Sequence, residues 1–361
     1  MIFLKVSEKE AVRLIVILVI SKIFFWDINR FVYYSASAAW INAVLTTAFT
    51  ALLFLILKYA YSKNNCADVF DCIKTAYGKT GLIIAGTLLF IMQFLNFTVV
   101  LRIYSNTIST ITLTSMPSYF VLIFILITVI AAGYYGIENM VKLTSVSCCV
   151  IVAFIAALFL FDIPHFDSTN IFPVFGNGLS GFLKCYKNVG FYNELLFLLF
   201  LVPLLKERKS FGKIGFKSIA YSGIIIILTA LVYTLTAPYP ANTQFYLPVL
   251  EISSEVNISV IFQRAESIFL ILWIFTCFIY LGASFCFMLY TFEKTFGIKD
   301  KKAIIGAVLI ISVMLLDLFE NINEANPLYR FMFYAFAVSL FVFFTLTFFI
   351  SAHRRKKENE K

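Results

Sequence analysis

The chain is a succession of long apolar runs separated by short polar segments. The runs are about 20 residues long, which is the length an α-helix needs to cross about 30 Å of hydrocarbon. We interpret them as helices, because an open sheet in lipid would leave backbone groups without hydrogen-bond partners. The pattern predicts ten transmembrane helices, numbered here as spans 1 to 10. They cover residues 11–33, 36–57, 81–107, 118–135, 142–161, 179–204, 218–237, 259–291, 303–318 and 329–351.

The composition supports this interpretation. Of the 361 residues, 61% are hydrophobic and 14% are charged, whereas a water-soluble domain has about 25% charged residues. The segments between the apolar runs are too short to form a soluble domain. We therefore predict one all-α integral membrane domain over residues 1–361.

The basic residues are distributed unevenly between the loops. Of the 29 Lys and Arg residues, 22 lie in the N-terminal segment, the even-numbered loops and the C-terminal tail, and only Arg30 and Arg330 lie in odd-numbered loops. Because cytoplasmic loops collect Lys and Arg, we expect both termini in the cytoplasm. Contact with anionic membrane lipids explains the net charge of +9 without a nucleic-acid partner.

Ten spans divide into two halves of five, so that spans 1 and 6 cross the membrane in opposite directions. This is the arrangement of a 5+5 inverted repeat, in which the first helix of each half is broken near the midplane. Span 1 carries Ser21 and Lys22 near its middle, and span 6 carries Gly190 and Glu194 among other polar residues. Helices 1 and 6 are therefore predicted to be the broken ones. The outer half of span 1 should then start at the midplane, with its amides facing a cavity.

The candidate binding site is centred on Lys22. A lysine at the centre of a span costs about 2.5–3.5 kcal/mol on insertion scales, so that it needs a partner or a cavity. Glu194, one helical turn past Gly190, is the acidic residue best placed to reach it. Gly190 is expected to allow close backbone approach, with Phe191 and Tyr192 as a wall. The predicted ligand-binding residues are Ser21, Lys22, Asn96, Gly190, Phe191, Tyr192 and Glu194.

Two alternatives to this site stay open. Lys22 and Glu194 can form a buried pair that only stabilises the fold. Asn96, which shares a helix face with Gln93, can serve in hydrogen bonding between helices rather than in ligand binding.

Motifs for chemical catalysis are missing from the sequence. It contains no GxSxG, HExxH, P-loop or GxGxxG pattern, and its two histidines, His165 and His353, lie outside the spans. We therefore predict that the protein is not an enzyme and has no catalytic residues, cofactor or metal site.

Four stretches of the sequence, each at a defined place in the order of the spans, resemble those of a known protein family. They are ADVFDCIKTAYGKTGLIIAG (67–86), IFPVFGNGLSGF (171–182), VPLLKERKSFGK (202–213) and FQRAESIFLILWIF (262–275), the last followed by EKTFGI (293–298). With these motifs the chain resembles the spore germination permease family. These are the B subunits of germinant receptors, within the amino acid–polyamine–organocation superfamily.

The resemblance implies a LeuT-type fold and residence in the spore inner membrane. It also implies a complex with a receptor A subunit and a lipoprotein C subunit, and recognition of a small germinant, often an amino acid. Three functions remain open at this point: a receptor subunit that binds germinant, an amino-acid or cation-coupled secondary transporter, and a structural subunit that binds no ligand.

Overall fold

The computed structural model describes residues 5–24, 26–64, 68–111, 118–245, 247–255, 265–298, 300–316 and 322–359. These residues form helices and connecting turns without a β-strand. The α-helices are α1 (Glu8–Ile20), α2 (Asn29–Ser35), α3 (Ala39–Ser62), α4 (Val69–Ile111), α5 (Ser118–Tyr135), α6 (Ile137–Phe161), α7 (Leu179–Phe182), α8 (Leu198–Leu201), α9 (Phe211–Thr236), α10 (Pro248–Glu255), α11 (Ala265–Phe296), α12 (Lys301–Leu316) and α13 (Ile322–Asn359). The predicted all-α membrane fold is confirmed.

Among the described residues, seven helices are long and apolar enough to cross a membrane. They are Asn29–Ser62, Val69–Ile111, Ile137–Phe161, Leu179–Leu204, Arg208–Thr236, Leu270–Phe296 and Pro327–Lys357. Two shorter apolar helices, Tyr119–Tyr135 and Ile304–Leu316, occupy the positions of spans 4 and 9. Span 1 is not one continuous helix in this set, because it is divided: α1 has 13 residues, and α2, with seven, is included in Asn29–Ser62. Each of the ten predicted spans thus overlaps a helical segment.

Span 1 lies at the centre of the bundle. The side chains of α1 from Leu14 to Ile20 are at most 3% exposed, which is typical of a helix that is apolar all round. The helix packs against α6, α9 and the polar part of span 6. In contrast, α5, α6 and α12 expose many apolar side chains on one face, as expected for helices in contact with lipid.

A short helix precedes span 3. Gly78 has a φ of 77° and a ψ of −175°, and it separates residues 69–77 from the rest of α4. Only glycine adopts this backbone conformation at little cost. The short helix is attached to α11, since Asp68 accepts hydrogen bonds from Tyr290 at 2.6 Å and forms an ion pair with Lys294 at 2.9 Å.

The first and sixth spans are joined at the end of the bundle that holds the N-terminal segment. The amide of Val6 donates to the carbonyl of Leu204 at 2.8 Å, and the amide of Lys206 donates to the carbonyl of Val6 at 2.9 Å. Lys217 at the start of α9 adds an ion pair with Glu8 at 2.6 Å. These contacts hold the entry of span 1 against the exit of span 6.

Candidate functional site

Span 1 leaves the α-helical geometry where the sequence predicts. The first helix ends at Ile20, and residues Ser21–Phe24 and Trp26–Ile28 form 3₁₀ turns before α2 begins. The Ser21 hydroxyl donates to the carbonyl of Leu18 at 2.7 Å, a contact within one helix that favours local bending. The helix α2 begins only at Asn29, so that 3₁₀ turns, rather than the start of an α-helix, follow the break at Ser21.

Span 6 departs from α-helix over a longer stretch than its sequence suggests. Residues Leu183–Phe197 form a 3₁₀ helix with a kink at Tyr192, whose φ is −106° and ψ is 15°. Runs of 3₁₀ helix beyond three or four residues are uncommon, and a stretch inside a longer helix often marks a functional hinge. The 3₁₀ part of span 6 contacts both helices of span 1, α1 and α2, and Lys22 of the irregular part of span 1 hydrogen-bonds to it. Polar backbone and side-chain groups therefore lie deep in the bundle.

Lys22 reaches across to span 6. Its Nζ atom donates to Glu194 Oε2 at 2.5 Å and to the carbonyl of Gly190 at 2.7 Å, with the carbonyl of Phe191 at 3.4 Å. Lys22 is 4% exposed and Glu194 is 3% exposed. The structure therefore brings together the lysine and the glutamate that the sequence singled out.

Glu194 has a second partner on span 8. The hydroxyl of Tyr280 donates to Glu194 Oε1 at 2.9 Å, and Asn96 Nδ2 approaches the same hydroxyl at 3.4 Å. The Tyr280 ring also lies near that of Tyr104, with 5.9 Å between ring centroids. A chain of polar contacts thus connects spans 1, 6, 8 and 3 through one carboxylate.

A cavity of about 90 Å³ lies beside this chain of contacts. A buried water molecule needs about 10–15 Å³, so the space admits several waters or one small molecule. Lys22, Asn96 and Glu194 contribute to its wall together with Tyr280, and apolar side chains form most of the remainder. Along α13 the lining runs from Tyr329 to Phe344, towards the end of the bundle that holds Val6.

Two amide side chains in the wall have oxygen atoms without a hydrogen-bond partner among the described residues. They are Oε1 of Gln93 and Oδ1 of Asn193, both buried. Such atoms are costly unless a water or a ligand satisfies them. The sequence places Gln93 on the same helix face as Asn96, whereas Asn193 is only one of several polar residues in span 6.

The other predicted site residues do not line this cavity. Ser21 bonds to its own helix, and the hydroxyl of Tyr192 lies 2.7 Å from that of Thr47 on α3. The ring of Phe191 stacks on Phe31, with 4.9 Å between centroids. Gly190 does allow close approach, but the neighbour is α13: a Cβ atom built on Gly190 would lie 2.4 Å from a ring carbon of Phe333.

An ion pair within span 1 lies on the other side of Lys22. Arg30 Nε donates to Asp27 Oδ1 at 2.8 Å, and both side chains are at most 2% exposed. Tyr329 on α13 donates to Asp27 Oδ2 at 2.8 Å, and Arg30 Nη1 donates to the Tyr334 hydroxyl at 2.5 Å. We call Asp27, Arg30, Tyr329 and Tyr334 the outer cluster. A space of about 10 Å³ separates it from Lys22.

The tyrosines and Phe333 could not be singled out from the sequence. The chain has 19 Tyr and 42 Phe residues, so that one more aromatic residue in a span carries no signal. Asp27, Arg30 and Lys22 stand out because charged residues at membrane depth are rare. Among the described residues no group of three His, Cys, Asp or Glu side chains is placed to hold a metal ion.

The helical fold, the paired irregular spans and the central cavity define a membrane protein of the transporter-like class. A search of solved structures matches Mhp1, a nucleobase-cation-symport-1 family transporter, in a closed conformation with bromovinylhydantoin bound. The TM-score is 0.63 at 14% identity, covering 92% of this chain and 78% of Mhp1. At this identity the likeness shows the fold alone.

The family follows from the sequence comparisons. The model of the spore permease family, described as "Spore germination protein", matches residues 5–325, and the chain belongs to this family. The chain is 25% identical over 333 residues to spore germination protein A2 of Bacillus subtilis (strain 168), covering 88% of this chain and 87% of that protein. It is 23% identical over 343 residues to spore germination protein KB of the same strain, covering 90% and 88%. The resemblance seen in the four motifs is confirmed.

Proposed function

We propose that the protein is the permease-like B subunit of a spore germinant receptor. In this role it binds a small germinant, an amino acid or a similar compound, in the central cavity, and binding triggers germination. The chain works in the spore inner membrane with both termini in the cytoplasm, together with a receptor A subunit and a lipoprotein C subunit.

The observation that carries the proposal is the central cavity in a chain of this family. The family match extends over residues 5–325, a range that contains Lys22, Asn96 and Glu194. An enclosed, mainly apolar cavity with a few convergent polar groups is the usual form of a small-molecule site. Within the proposed site we now place Gln93, Asn193 and Tyr280 beside those three residues.

Asn96→Ala tests the proposal without leaving a buried charge unpaired. In spores that respond to a defined germinant, we expect about a tenfold higher half-maximal concentration, equivalent to about 1.4 kcal/mol. The panel of germinants should include amino acids, sugars, bile salts and ions, with protein abundance measured by immunoblot. Asn139→Ala removes an exposed asparagine of α6 and serves as the matched control. An unchanged dose response at normal abundance would count against the site.

Assembly is tested separately. Because the chain has only short loops, its signal must pass through contacts in the membrane or at its surface. We expect co-purification of A and C subunits from spore membranes. A full germinant response in spores that lack those subunits would refute the receptor role.

An amino-acid or cation-coupled transporter is the second candidate, favoured by the likeness to Mhp1. One fold hosts many functions, so the likeness has less weight than the family. Uptake of labelled amino acids by vesicles that contain only this chain would favour the transporter over the receptor.

A further inference from the structure

The ε-ammonium group of Lys22 is surrounded as a bound cation would be. Three oxygen atoms of span 6 face its three N–H donors, namely the carbonyls of Gly190 and Phe191 and Oε2 of Glu194, at 2.7, 3.4 and 2.5 Å. The ring of Phe333 adds a face at 5.6 Å from Nζ to the centroid. The residue is only 4% exposed, so these contacts replace most of the hydration that the group has in water.

The three oxygen atoms belong to one short stretch of irregular backbone. Gly190, Phe191 and Glu194 flank the kink at Tyr192, and Lys22 comes from a different span at a long sequence distance. Carbonyl and carboxylate oxygens are also the groups that bind small hard cations. Without the lysine, this stretch would therefore present three oxygen atoms that can bind a cation.

We propose that residues 190–194 form a subsite for a monovalent cation and that Lys22 fills it permanently as a built-in cation. An ordinary alkylammonium or alkali ion is then excluded, and the site needs none. This inference deepens the proposed function and rests on it, because Lys22, Asn193 and Glu194 line the proposed germinant cavity.

A consequence concerns the ligand. Since the donors of Lys22 are engaged by the protein, this side chain does not present a free positive charge to a ligand carboxylate. Among the described residues, the buried amide oxygens of Gln93 and Asn193 line the cavity without a partner and can accept hydrogen bonds from a ligand. A ligand with an ammonium group must compete with Lys22 for Glu194, whereas an uncharged hydrogen-bond donor need not.

The geometry allows the subsite to be emptied. Lys22 lines both the main cavity and the space of about 10 Å³ next to the outer cluster. Truncation at Cβ in Lys22→Ala would join these spaces and leave the three oxygens facing them. Methylammonium is the smallest probe that restores both the charge and part of the lost volume.

The experiment measures the thermal unfolding midpoint (Tm) of the purified full chain in detergent against added salt. Methylammonium chloride and sodium chloride are compared with tetramethylammonium chloride, which controls for ionic strength and is too large for the subsite. For Lys22→Ala we expect a saturable rise in Tm with methylammonium, about 2–4 °C at tenfold excess over Kd. A rise with sodium alone would identify the subsite as an alkali-ion site. Wild-type protein and Lys184→Ala, which removes an exposed lysine of span 6, should show no rise above the tetramethylammonium control.

Equal responses of Lys22→Ala to all three salts would overturn the proposal, as would a specific response of the wild type. If Lys22→Ala is not recovered as monodisperse protein, Lys22→Ala/Glu194→Gln removes the unpaired carboxylate and decides instead. Its two carbonyls must still give a methylammonium-specific rise, at higher concentration, and lack of a rise overturns the proposal. The assay uses neither germinant nor spores, so its failure leaves the receptor role intact, and loss of germinant response alone leaves the cation subsite intact.

Discussion

At the scale of single residues, the pair of Lys22 and Glu194 explains how two charges persist inside an apolar bundle. Removing a charge from water costs several kcal/mol, and attraction offsets this only when the remaining hydrogen-bond groups are also satisfied. Here the ammonium has three acceptors, and the second carboxylate oxygen accepts from Tyr280. The pair therefore serves the fold as well as the cavity wall.

Breaking one side of this pair should be worse than removing both sides. Lys22→Met leaves Glu194 buried without its counter-charge, and we expect a loss of about 3–5 kcal/mol in the free energy of unfolding. Lys22→Met/Glu194→Met replaces the pair by apolar side chains and should recover most of this loss. Tm and abundance in membranes measure both variants. A double variant no more stable than the single one would contradict this account.

Gly190 allows a second test at a single position. A methyl group there would lie 2.4 Å from a ring carbon of Phe333 and 2.5 Å from its carbonyl oxygen. The backbone oxygen cannot turn away, so Gly190→Ala should destabilise the protein by about 1–3 kcal/mol. Gly306→Ala is the matched control, since nothing lies within 4 Å of its added Cβ. Equal Tm values for the two variants would show that spans 6 and 10 are not in this close contact.

Sequence reasoning succeeded at residues whose chemistry is unusual for their place. Lys22 and Glu194 stood out as charges at membrane depth, and the structure joins them at 2.5 Å. The sequence did not predict that Tyr192 contacts Thr47. A 3₁₀ helix has about three residues per turn rather than 3.6, and this changes which side chains share a face. The contribution of Tyr280 and Phe333 depends on helix packing that a single sequence does not encode in any visible pattern.

At the scale of elements, spans 1 and 6 are held differently at their two ends. Backbone hydrogen bonds join Val6 to Leu204 and Lys206 at one end. On the other side of Lys22, the outer cluster ties span 1 to span 10 through Asp27 and Arg30. Tyr329 belongs to this cluster and also lines the main cavity. A ligand that moves Tyr329 would therefore act directly on the outer cluster.

The outer cluster should control access to the cavity from that side. Asp27→Asn/Arg30→Leu removes the ion pair while leaving no charge unbalanced. If the cluster stabilises the closed state by about 1.4 kcal/mol, labelling of Asn96→Cys by an impermeant thiol reagent from outside should be about tenfold faster. Asn96→Cys is introduced into a cysteine-free chain with and without Asp27→Asn/Arg30→Leu. Asn96→Cys with Lys184→Leu is the control for a lost surface charge. An unchanged rate would show that other contacts close this side.

The elements were predicted to different degrees. Polar residues inside apolar runs marked the irregular parts of spans 1 and 6. The extent of 3₁₀ helix in span 6 was not foreseen, because hydrophobic patterns do not separate 3₁₀ from α-helix over short stretches. The part of span 8 before Ala265 lies outside the described residues. It includes the first three residues, 262–264, of the stretch FQRAESIFLILWIF (262–275).

At the scale of the whole molecule, charge and fold together make a directional prediction. The basic segments that follow spans 2, 6 and 8 lie beyond the same ends of the helices as the N-terminal segment if the ten spans alternate in direction. Contacts between Asn64 and the carbonyl of Phe348, at 2.7 Å, and between Val6 and Leu204 agree with this placement. The bundle therefore has one strongly basic end.

The orientation of that end can be measured by single-cysteine labelling in a cysteine-free background. Because Lys and Arg collect on the cytoplasmic side, Asp167→Cys and Glu251→Cys should react with a membrane-impermeant thiol reagent added outside intact cells. Lys209→Cys and Asp300→Cys should react only after the membrane is permeabilised. All four positions lie in short segments between spans, so that failure to react cannot be attributed to depth in the bilayer. Labelling of Lys209→Cys from outside would show that the topology is the reverse. The end of the cavity lined by Phe344 would then face the exterior.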